Sequence, residues 1–420
     1  MLSSLADWLH YIEQIHPKTI ELTLARIQNV ASRLGLLLTQ KKRVIITVGG
    51  TNGKGSCVAS IESLLLETGA SVGAYFSPHL FRFNERIRLN GREVTDEQLC
   101  AAFTEIEKAR AEISLTYFEF ATLAACFLFQ QEKIAYWVLE VGLGGRYDAV
   151  NIFSADIAVI ASVSLDHLDY LGETRELIAY EKAGIFRKNG RVVYGESDVP
   201  ASIWERALAL ETHFSCQGQE FGFIQQEESW RFWGEKQFDQ LPKPIVSLQN
   251  AATALQVVSL LPTIKIRQEE VVRGLNNINL QGRFQLIQTE AALFVFDVAH
   301  NPASAQLLAE NLTSIKKYRK IHALVGMLKD KDCLNTLRPL SAIIDMWWVA
   351  GLSGERGLSC VELMRVLSSL TSSPLQGFVS PEEAYQTLLY HVHPEDCVVV
   401  FGSFLTVTPV LERITCYSYV

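Results

Sequence analysis

The organisation of this chain is decided by the stretch Arg43-Val44-Ile45-Ile46-Thr47-Val48-Gly49-Gly50-Thr51-Asn52-Gly53-Lys54-Gly55-Ser56. Its first half is a run of mostly β-branched apolar residues, which is typical of a buried strand. Its second half is rich in glycine and contains a lysine, and apolar residues at helical spacing follow it. A strand, a glycine turn, a lysine and a helix form the layout of a phosphate-binding loop, in which backbone N–H groups surround the anion.

The stretch departs from the strict phosphate-loop pattern at two positions. Val48 stands where the pattern has its first glycine, and Gly55 directly follows the lysine, where the pattern has Ser or Thr. The hydroxyl group comes one residue later, at Ser56. An ordinary glycine-rich turn is the alternative, but the strand before the loop and the helix after it favour nucleotide binding.

Composition narrows the class of protein. The chain has 420 residues, of which 48% are hydrophobic and 20% are charged, so we expect a globular protein with more than one domain. Its net charge of -8 argues against nucleic acid and against an anionic membrane as partners. The scattered cysteines form no C-x-x-C pair and no signal peptide is visible, so we expect reduced thiols and a cytoplasmic protein.

Strand and helix patterns alternate along most of the chain, which predicts a doubly wound, mostly parallel sheet. Two helices, over residues 3–15 and about 21–36, precede the phosphate loop. The predicted strands of the first domain cover residues 44–48, 72–76, 136–141, 157–163 and 191–194. Residues 213–245 are polar and rich in turns, and we interpret them as a peripheral β excursion. Asn90-Gly91 predicts a hairpin, and Thr95 with Gln98 predicts a helix start.

The corner at Gly282-Arg283 separates two domains, which we place at residues 1–283 and 284–420. Strands and helices alternate again after it, and the predicted strands cover residues 293–298, 321–325, 346–350 and 397–401. The fold class is therefore α/β, with a phosphate-loop domain followed by a smaller α/β domain. An arginine at such a corner can clamp phosphate from a second element, and a surface arginine is the alternative.

Polar side chains follow several predicted strands at or just past the point where each strand ends, and these are Ser56, Ser77, Glu140, Asp148, Asp166, His167 and Asp169. Ligands bind at the carboxyl ends of strands in open parallel sheets. Glu140 is the most specific of the set, because an acid followed by glycines has no apolar packing role. A loop serine and a strand-end glutamate suit Mg²⁺, whereas His167 is a less usual ligand for it.

Eight motifs, which keep the order of the family and cover roughly residues 8–405, together resemble the folylpolyglutamate synthase/dihydrofolate synthase branch of the Mur ligase superfamily. The motifs are Gly50-Thr51-Asn52-Gly53-Lys54-Gly55-Ser56, Ser77-Pro78-His79-Leu80, Asn84-Glu85-Arg86, Glu140-Val141-Gly142-Leu143-Gly144-Gly145-Arg146, Asp166-His167, Glu181-Lys182-Ala183-Gly184-Ile185, Gly282-Arg283 and Asp297-Val298-Ala299-His300-Asn301-Pro302. The resemblance implies the Mur ligase architecture, with a Rossmann-like second domain. It also implies ATP-dependent ligation of L-glutamate to dihydropteroate and to reduced folates through an acyl phosphate.

The resemblance also implies roles for individual residues. The nucleotide ligands would be Thr51, Asn52, Gly53, Lys54, Gly55, Ser56, Arg283 and Asp297, and the metal ligands would be Ser77, Glu140 and His167. Lys54, Lys182 and His300 would be catalytic, and Lys182 matches a lysine that is carbamylated in the family. The cofactors would be ATP and Mg²⁺, expected as two ions, with a monovalent cation as a further candidate. We expect a monomer.

The pterin substrate has its own set of matching residues, Ile20, Glu21, Leu22, Thr116, Tyr117, Phe118, Glu119 and Asp148, and Ser403 is a candidate for the glutamate end. Aromatic rings can stack on a pterin and carboxylates can accept from its amino-pyrimidine edge. Core packing at a helix start is the alternative for Tyr117 and Phe118. Glu21, where such enzymes often carry Asp, and Tyr147 depart from the family pattern and affect the expected shape of the pocket.

Three alternatives stay open from the sequence. The chain could add later glutamates only, it could be another Mur-type amino-acid ligase, or it could be a nucleotide-binding regulatory module without catalysis. A muramyl ligase is the nearest rival, but only 48 residues precede Gly49, which is enough for two helices and not for the domain that binds the UDP-sugar. A regulatory module has no need for Lys182 or Arg283.

Overall fold

A computed structural model describes residues 4–18, 20–37, 43–314 and 318–417. The chain divides into two compact units, Met1–Leu280 and Gln281–Val420. The boundary between the units falls a short way before the domain boundary predicted after Arg283. Each unit has its own sheet and its own apolar core.

The strands of the first unit are β1 (Val44–Gly49), β2 (Val72–Tyr75), β3 (Ile87–Leu89), β4 (Arg92–Glu93), β5 (Tyr136–Glu140), β6 (Ile157–Ile160), β7 (Arg191–Tyr194), β8 (His213–Cys216), β9 (Gly222–Gln225), β10 (Ser229–Trp233) and β11 (Gln237–Pro242). Within the described residues the main sheet has the order β4-β3-β2-β5-β1-β6-β7-β8. The strands from β2 to β8 in this order run parallel, and β3 and β4 add an antiparallel edge. The predicted doubly wound, mostly parallel sheet is confirmed.

The helices of the first unit are α1 (Leu5–Gln14), α2 (Ala25–Arg33), α3 (Lys54–Glu67), α4 (Asp96–Arg110), α5 (Tyr117–Gln131), α6 (Leu168–Leu171), α7 (Arg175–Lys182), α8 (Ala201–Ala209), α9 (Leu248–Ser259) and α10 (Gln268–Asn276). They cover both faces of the sheet, which explains why β1 is apolar on both sides. Ile45 packs into one apolar cluster, whereas Ile46 and Val48 pack into the cluster on the opposite face. No described helix has the length and apolar character needed to cross a membrane.

Two local predictions are confirmed in the first unit. Asn90 and Gly91 have φ values of 51° and 79°, so both adopt the left-handed conformation that two-residue hairpin loops require. The Thr95 hydroxyl accepts a hydrogen bond from the Gln98 N–H, and the Gln98 side chain accepts one from the Thr95 N–H. This capping box starts α4 where the sequence placed a helix start.

Two boundaries differ from the sequence-based expectation. The second helix begins at Ala25, and the Glu21 side chain, which was expected within that helix, instead binds His16 and Arg26. Within residues 213–245, β8 extends the main sheet beside β7, and the described β9–β11 form a separate antiparallel sheet. The peripheral excursion is therefore shorter than expected.

The second unit contains strands β12 (Gln285–Gln288), β13 (Leu293–Asp297), β14 (Ile321–Val325), β15 (Met346–Ala350), β16 (Leu375–Phe378) and β17 (Cys397–Phe401). Its helices are α11 (Pro302–Ser314), α12 (Cys333–Leu337), α13 (Cys360–Ser368), α14 (Pro381–Leu388) and α15 (Phe404–Tyr417). Among the described residues the strand order is β12-β13-β17-β14-β15-β16, parallel except for β12. The predicted strands are confirmed, whereas β12 and β16 were not predicted.

Candidate active site

The loop between β1 and α3 has the backbone geometry that its glycines predict. Gly50 and Gly53 have φ values of 146° and 79°, and Gly53 directly precedes the first residue of α3. A side chain at position 53 would also clash, because an added Cβ would lie 2.5 Å from Oδ1 of Asn250 on α9. No local pattern indicates this contact with Asn250, because the two residues lie far apart in the chain.

A cavity lies beside this loop at the carboxyl ends of three adjacent parallel strands, β5, β1 and β6. Its lining comes from the segments that directly follow these strands, together with α6 and α7, and consists of Gly50, Thr51, Lys54, Val141, Gly142, Leu143, Gly144, Asp166, His167, Leu171 and Lys182. The carboxyl edge of an open parallel sheet is the usual place for a ligand. The structure therefore brings Thr51, Lys54, His167 and Lys182 of the predicted site together in one cavity.

Two lysines meet at the floor of the cavity. The Nζ atoms of Lys54 and Lys182 each donate to the carbonyl oxygen of Gly50 over 3.0 Å, and Lys54 also donates to that of Thr51 over 3.1 Å. Lys182 is only 3% exposed. This is unexpected, because it is the last residue of α7, whose sequence pattern is amphipathic and would place a lysine on the exposed face. Burial, together with the charge of Lys54, lowers the pKa of Lys182 to about 7, and nearby Asp166 opposes that shift.

Glu140 and Ser77 lie together near the start of α3, the helix that follows the phosphate loop. Oε2 of Glu140 accepts a hydrogen bond from the Ser77 N–H over 3.0 Å, and it lies 3.6 Å from the position of a Cβ added to Gly55. His167 reaches the cavity from the loop after β6, where its N–H donates to Asp166 over 2.9 Å. Among the described residues no three His, Cys, Asp or Glu side chains are close enough to hold a metal ion. A metal bound here would therefore need the Ser77 hydroxyl as well.

The segment around Glu21 and the start of α5 meet through an arginine that the sequence-based predictions did not include. Arg26 lies 2.6 Å from a carboxylate oxygen of Glu21 and 3.3 Å from one of Glu119. Glu119 also completes a capping box with Thr116, accepting from its N–H over 2.8 Å. Two of the carboxylates that were expected at the pterin, those of Glu21 and Glu119, thus already have partners within the protein, and Ile20 beside Glu21 is 41% exposed.

Phe118 and Asp148, which were also predicted for the pterin, contact residues that line the cavity. The ring of Phe118 stands so close to Gly142 that an added Cβ would lie 2.6 Å from its Cζ. Tyr117 packs on the ring of Phe83 at 5.8 Å. The carboxylate of Asp148 accepts from the N–H of Leu143 over 2.9 Å. Burial raises the pKa of Asp148 to about 7, although this hydrogen bond opposes the shift.

The second unit holds a separate group of predicted residues at the carboxyl edge of its own sheet. Asp297 pairs in register with Phe401, the last residue of β17, and Ser403 follows that strand two residues later. The Asp297 carboxylate accepts from the N–H groups of Phe284 and Ala299, and burial raises its pKa while Arg283 opposes the shift. His300 Nδ1 lies 2.8 Å from the carbonyl oxygen of Val298.

Comparison with known families matches both halves of the chain to Mur ligases. The Mur ligase middle domain matches residues 48–220, and the Mur ligase glutamate ligase domain matches residues 282–404. A dihydrofolate synthase/folylpolyglutamate synthase of Escherichia coli is 41% identical over 413 residues, which cover 98% of this chain and 96% of the relative.

Solved structures give the same result for the fold. Escherichia coli FolC in complex with DHPP and ADP superimposes with a TM-score of 0.93 at 40% identity and covers 99% of both chains. A bifunctional folylpolyglutamate synthase/dihydrofolate synthase with Mn, AMPPNP and L-glutamate bound superimposes with a TM-score of 0.89 at 43% identity and covers 98% of both chains.

Proposed function

Because the chain belongs to the dihydrofolate synthase/folylpolyglutamate synthase branch of the Mur ligase family, we propose that it is an ATP-dependent ligase that joins L-glutamate to dihydropteroate and to reduced folates. The observation that carries this proposal is the convergence of Lys54, Lys182 and His167 on one cavity beside a phosphate loop. The charge of Lys54 and the loop N–H groups at the carboxyl edge of a parallel sheet suit phosphate groups.

The chemistry proceeds in two displacements. A carboxylate oxygen of the acceptor attacks the γ-phosphorus of ATP, the bond to the β-phosphate oxygen breaks, and ADP and an acyl phosphate form. The amine of L-glutamate then attacks the acyl carbon, loses a proton and displaces inorganic phosphate. Lys54 offsets phosphate charge throughout, and a cavity that excludes water protects the acyl phosphate from hydrolysis.

Ser77, Glu140 and His167 are the residues of this chain that would hold a divalent ion, which we propose is Mg²⁺. A hydroxyl, a carboxylate and an imidazole are donors that a divalent ion accepts, and the Ser77 N–H donates to Glu140 over 3.0 Å, which holds these two residues side by side. Bound Mg²⁺ neutralises phosphate charge. A second Mg²⁺ and a monovalent cation belong to the same proposal.

Lys182 belongs to the same proposal as a carbamylated lysine. An amine reacts with CO₂ only in its neutral form, and burial beside Lys54 lowers the pKa of Lys182 to about 7. The carbamate would turn a buried cation into an oxygen ligand. Mass spectrometry of protein trapped by methylation under ¹³CO₂ should find a labelled Lys182, whereas an unmodified residue would contradict the assignment.

The second unit has a complementary role in this proposal. Residues 284–420 would complete the ATP and glutamate site, with Arg283 and Asp297 on the nucleotide and His300 and Ser403 at the glutamate end. The net charge of -8 supports a protein that acts without nucleic acid, and we propose a monomer in the cytoplasm. Gel filtration of purified protein tests the oligomeric state.

One assay tests the function directly. Purified protein is incubated with Mg-ATP and L-glutamate, and ADP release is measured with dihydropteroate, with tetrahydrofolate and with neither. Release that requires an acceptor and glutamate supports the ligase, and activity with both acceptors supports two reactions in one enzyme. ADP release without any acceptor, or no release at all, would contradict the proposal.

A further inference from the structure

A cationic side chain beside the cavity has no role in the reaction as described so far. Arg146 follows the lining segment Gly142–Gly144, and its guanidinium lies between two tyrosine rings, 4.9 Å from the centre of Tyr147 and 5.4 Å from that of Tyr180. Its Nη1 donates to the Tyr180 hydroxyl over 3.2 Å. Both rings are exposed, at 41% and 47%.

The backbone of Arg146 is fixed against the helix that carries Lys182. Its N–H donates to the carbonyl oxygen of Glu181 over 2.8 Å, and its carbonyl oxygen accepts from the Asn151 side chain over 2.9 Å. Gly184 approaches so closely that an added Cβ would lie 2.4 Å from the Cα of Arg146. The Arg146 backbone is thus held at a fixed position beside the helix that carries Lys182, while its side chain reaches solvent.

The charge of Arg146 is only weakly compensated. Its ion pair with Glu181 spans 3.9 Å, and the two side chains are 43% and 24% exposed, so the pair contributes little. Arg175 differs, since it lies 2.7 Å from Asp198 and also donates to the Val163 carbonyl. A planar guanidinium held by two rings is well suited to bind a further carboxylate with two parallel hydrogen bonds.

The two acceptors in the proposed function differ in one charged group near the reacting centre. Dihydropteroate has one carboxylate, and that group reacts. The glutamyl end of a reduced folate has a reacting carboxylate and, beside it, an α-carboxylate that does not react. Lys54 and Lys182 face the phosphate loop. We propose, on the basis of that function, that Arg146 binds the α-carboxylate of the folate acceptor and thereby determines how well the enzyme uses folates relative to dihydropteroate.

Arg146→Met tests this inference, because methionine keeps an apolar stem between the two rings and removes the charge. A hydrogen bond between charged groups contributes about 1.5–3 kcal/mol, so KM for tetrahydrofolate should rise about 10- to 150-fold. The change in KM for dihydropteroate should be at least tenfold smaller. Arg146→Lys should recover part of the loss, and Arg92→Met, at an exposed hairpin position, is the matched control.

Each result of this experiment has a defined meaning. Equal losses with the two acceptors would show that Arg146 only supports the Lys182 helix, and that would overturn the inference. Unchanged KM for tetrahydrofolate would overturn it as well. If Arg146→Met does not fold, Arg146→Lys still decides, since a retained charge without the planar fork must affect tetrahydrofolate more than dihydropteroate. Wild-type protein that uses neither acceptor would instead refute the proposed function itself.

Discussion

Replacing Arg88 with Met should strongly destabilise the first unit, because it leaves a buried carboxylate without its counter-ion. Arg88 Nη1 lies 3.1 Å from Oε2 of Glu62 on α3 and donates to the carbonyl oxygen of Asn279 over 2.9 Å. Its guanidinium also lies 4.5 Å from the centre of the Phe76 ring. Arg88 and Glu62 are 7% and 3% exposed.

The size of the effect follows from this burial. Removing one partner of a buried ion pair costs about 3–5 kcal/mol, because the remaining charge stays desolvated. Each kcal/mol lowers Tm by about 2–4 °C in a domain of this size, so Arg88→Met should lower Tm by about 6–20 °C. Burial raises the pKa of Glu62 and Arg88 opposes this shift. The loss should therefore shrink as pH falls, since a protonated Glu62 needs no counter-ion.

Urea unfolding followed by circular dichroism measures the change in free energy. The double variant Arg88→Met/Glu62→Met should recover most of the loss, because apolar residues of similar volume can replace a buried pair. The control is Arg92→Met on the neighbouring strand β4, which should stay within about 0.5 kcal/mol of wild type. The reasoning is refuted if Arg88→Met costs no more than the control, or if the double variant is no more stable than the single one.

Four further predictions concern single positions. Lys54→Ala should abolish ligase turnover while the melting curve stays close to wild type, and retained ADP release would contradict its role. Gly53→Ala should weaken ADP binding measured by calorimetry, because φ is 79° and the new Cβ would meet Asn250 at 2.5 Å. Asp148 has a folded pKa of about 7 and an ordinary value of 3.8, so its contribution to stability falls as pH rises between these values, and Asp148→Asn should flatten that fall in urea midpoints. Thr95→Ala should cost about 1 kcal/mol in urea unfolding without changing KM for ATP.

The parts of the fold that the sequence predicted well are those encoded by neighbouring residues. The hairpin at Asn90-Gly91 and the capping box at Thr95 each depend on residues within three positions of one another, and both are confirmed. The strand–loop–helix around Lys54 is likewise local. β16 was not predicted because Leu375–Phe378 has neither β-branched residues nor a clear alternation, and its pairing with β15 supplies the order instead.

The site depends on contacts that no local pattern contains. Arg26 pairs with both Glu21 and Glu119, although Glu119 lies almost a hundred residues further along the chain. These ion pairs change which ligands the two carboxylates can bind. Asn250 fixes the requirement for glycine at position 53 from a distant helix. A sequence read alone identifies the types of residue at a site, whereas the pairing among them is decided by the sheet order that brings their segments together.

Lys182 is the clearest case of a site residue that the helical pattern of the sequence does not identify but its buried charge does. On α7 it has the pattern of a surface lysine, yet it is buried and shares one carbonyl acceptor with Lys54. Two ammonium groups so close together repel each other, and their desolvation adds to the cost. Asp166 and Asp148 favour the charged form of Lys182 but do not outweigh its burial. Such an arrangement is reasonable where the ligand is strongly anionic, or where the lysine itself becomes an anion as a carbamate, and both cases agree with the phosphate chemistry proposed for this cavity.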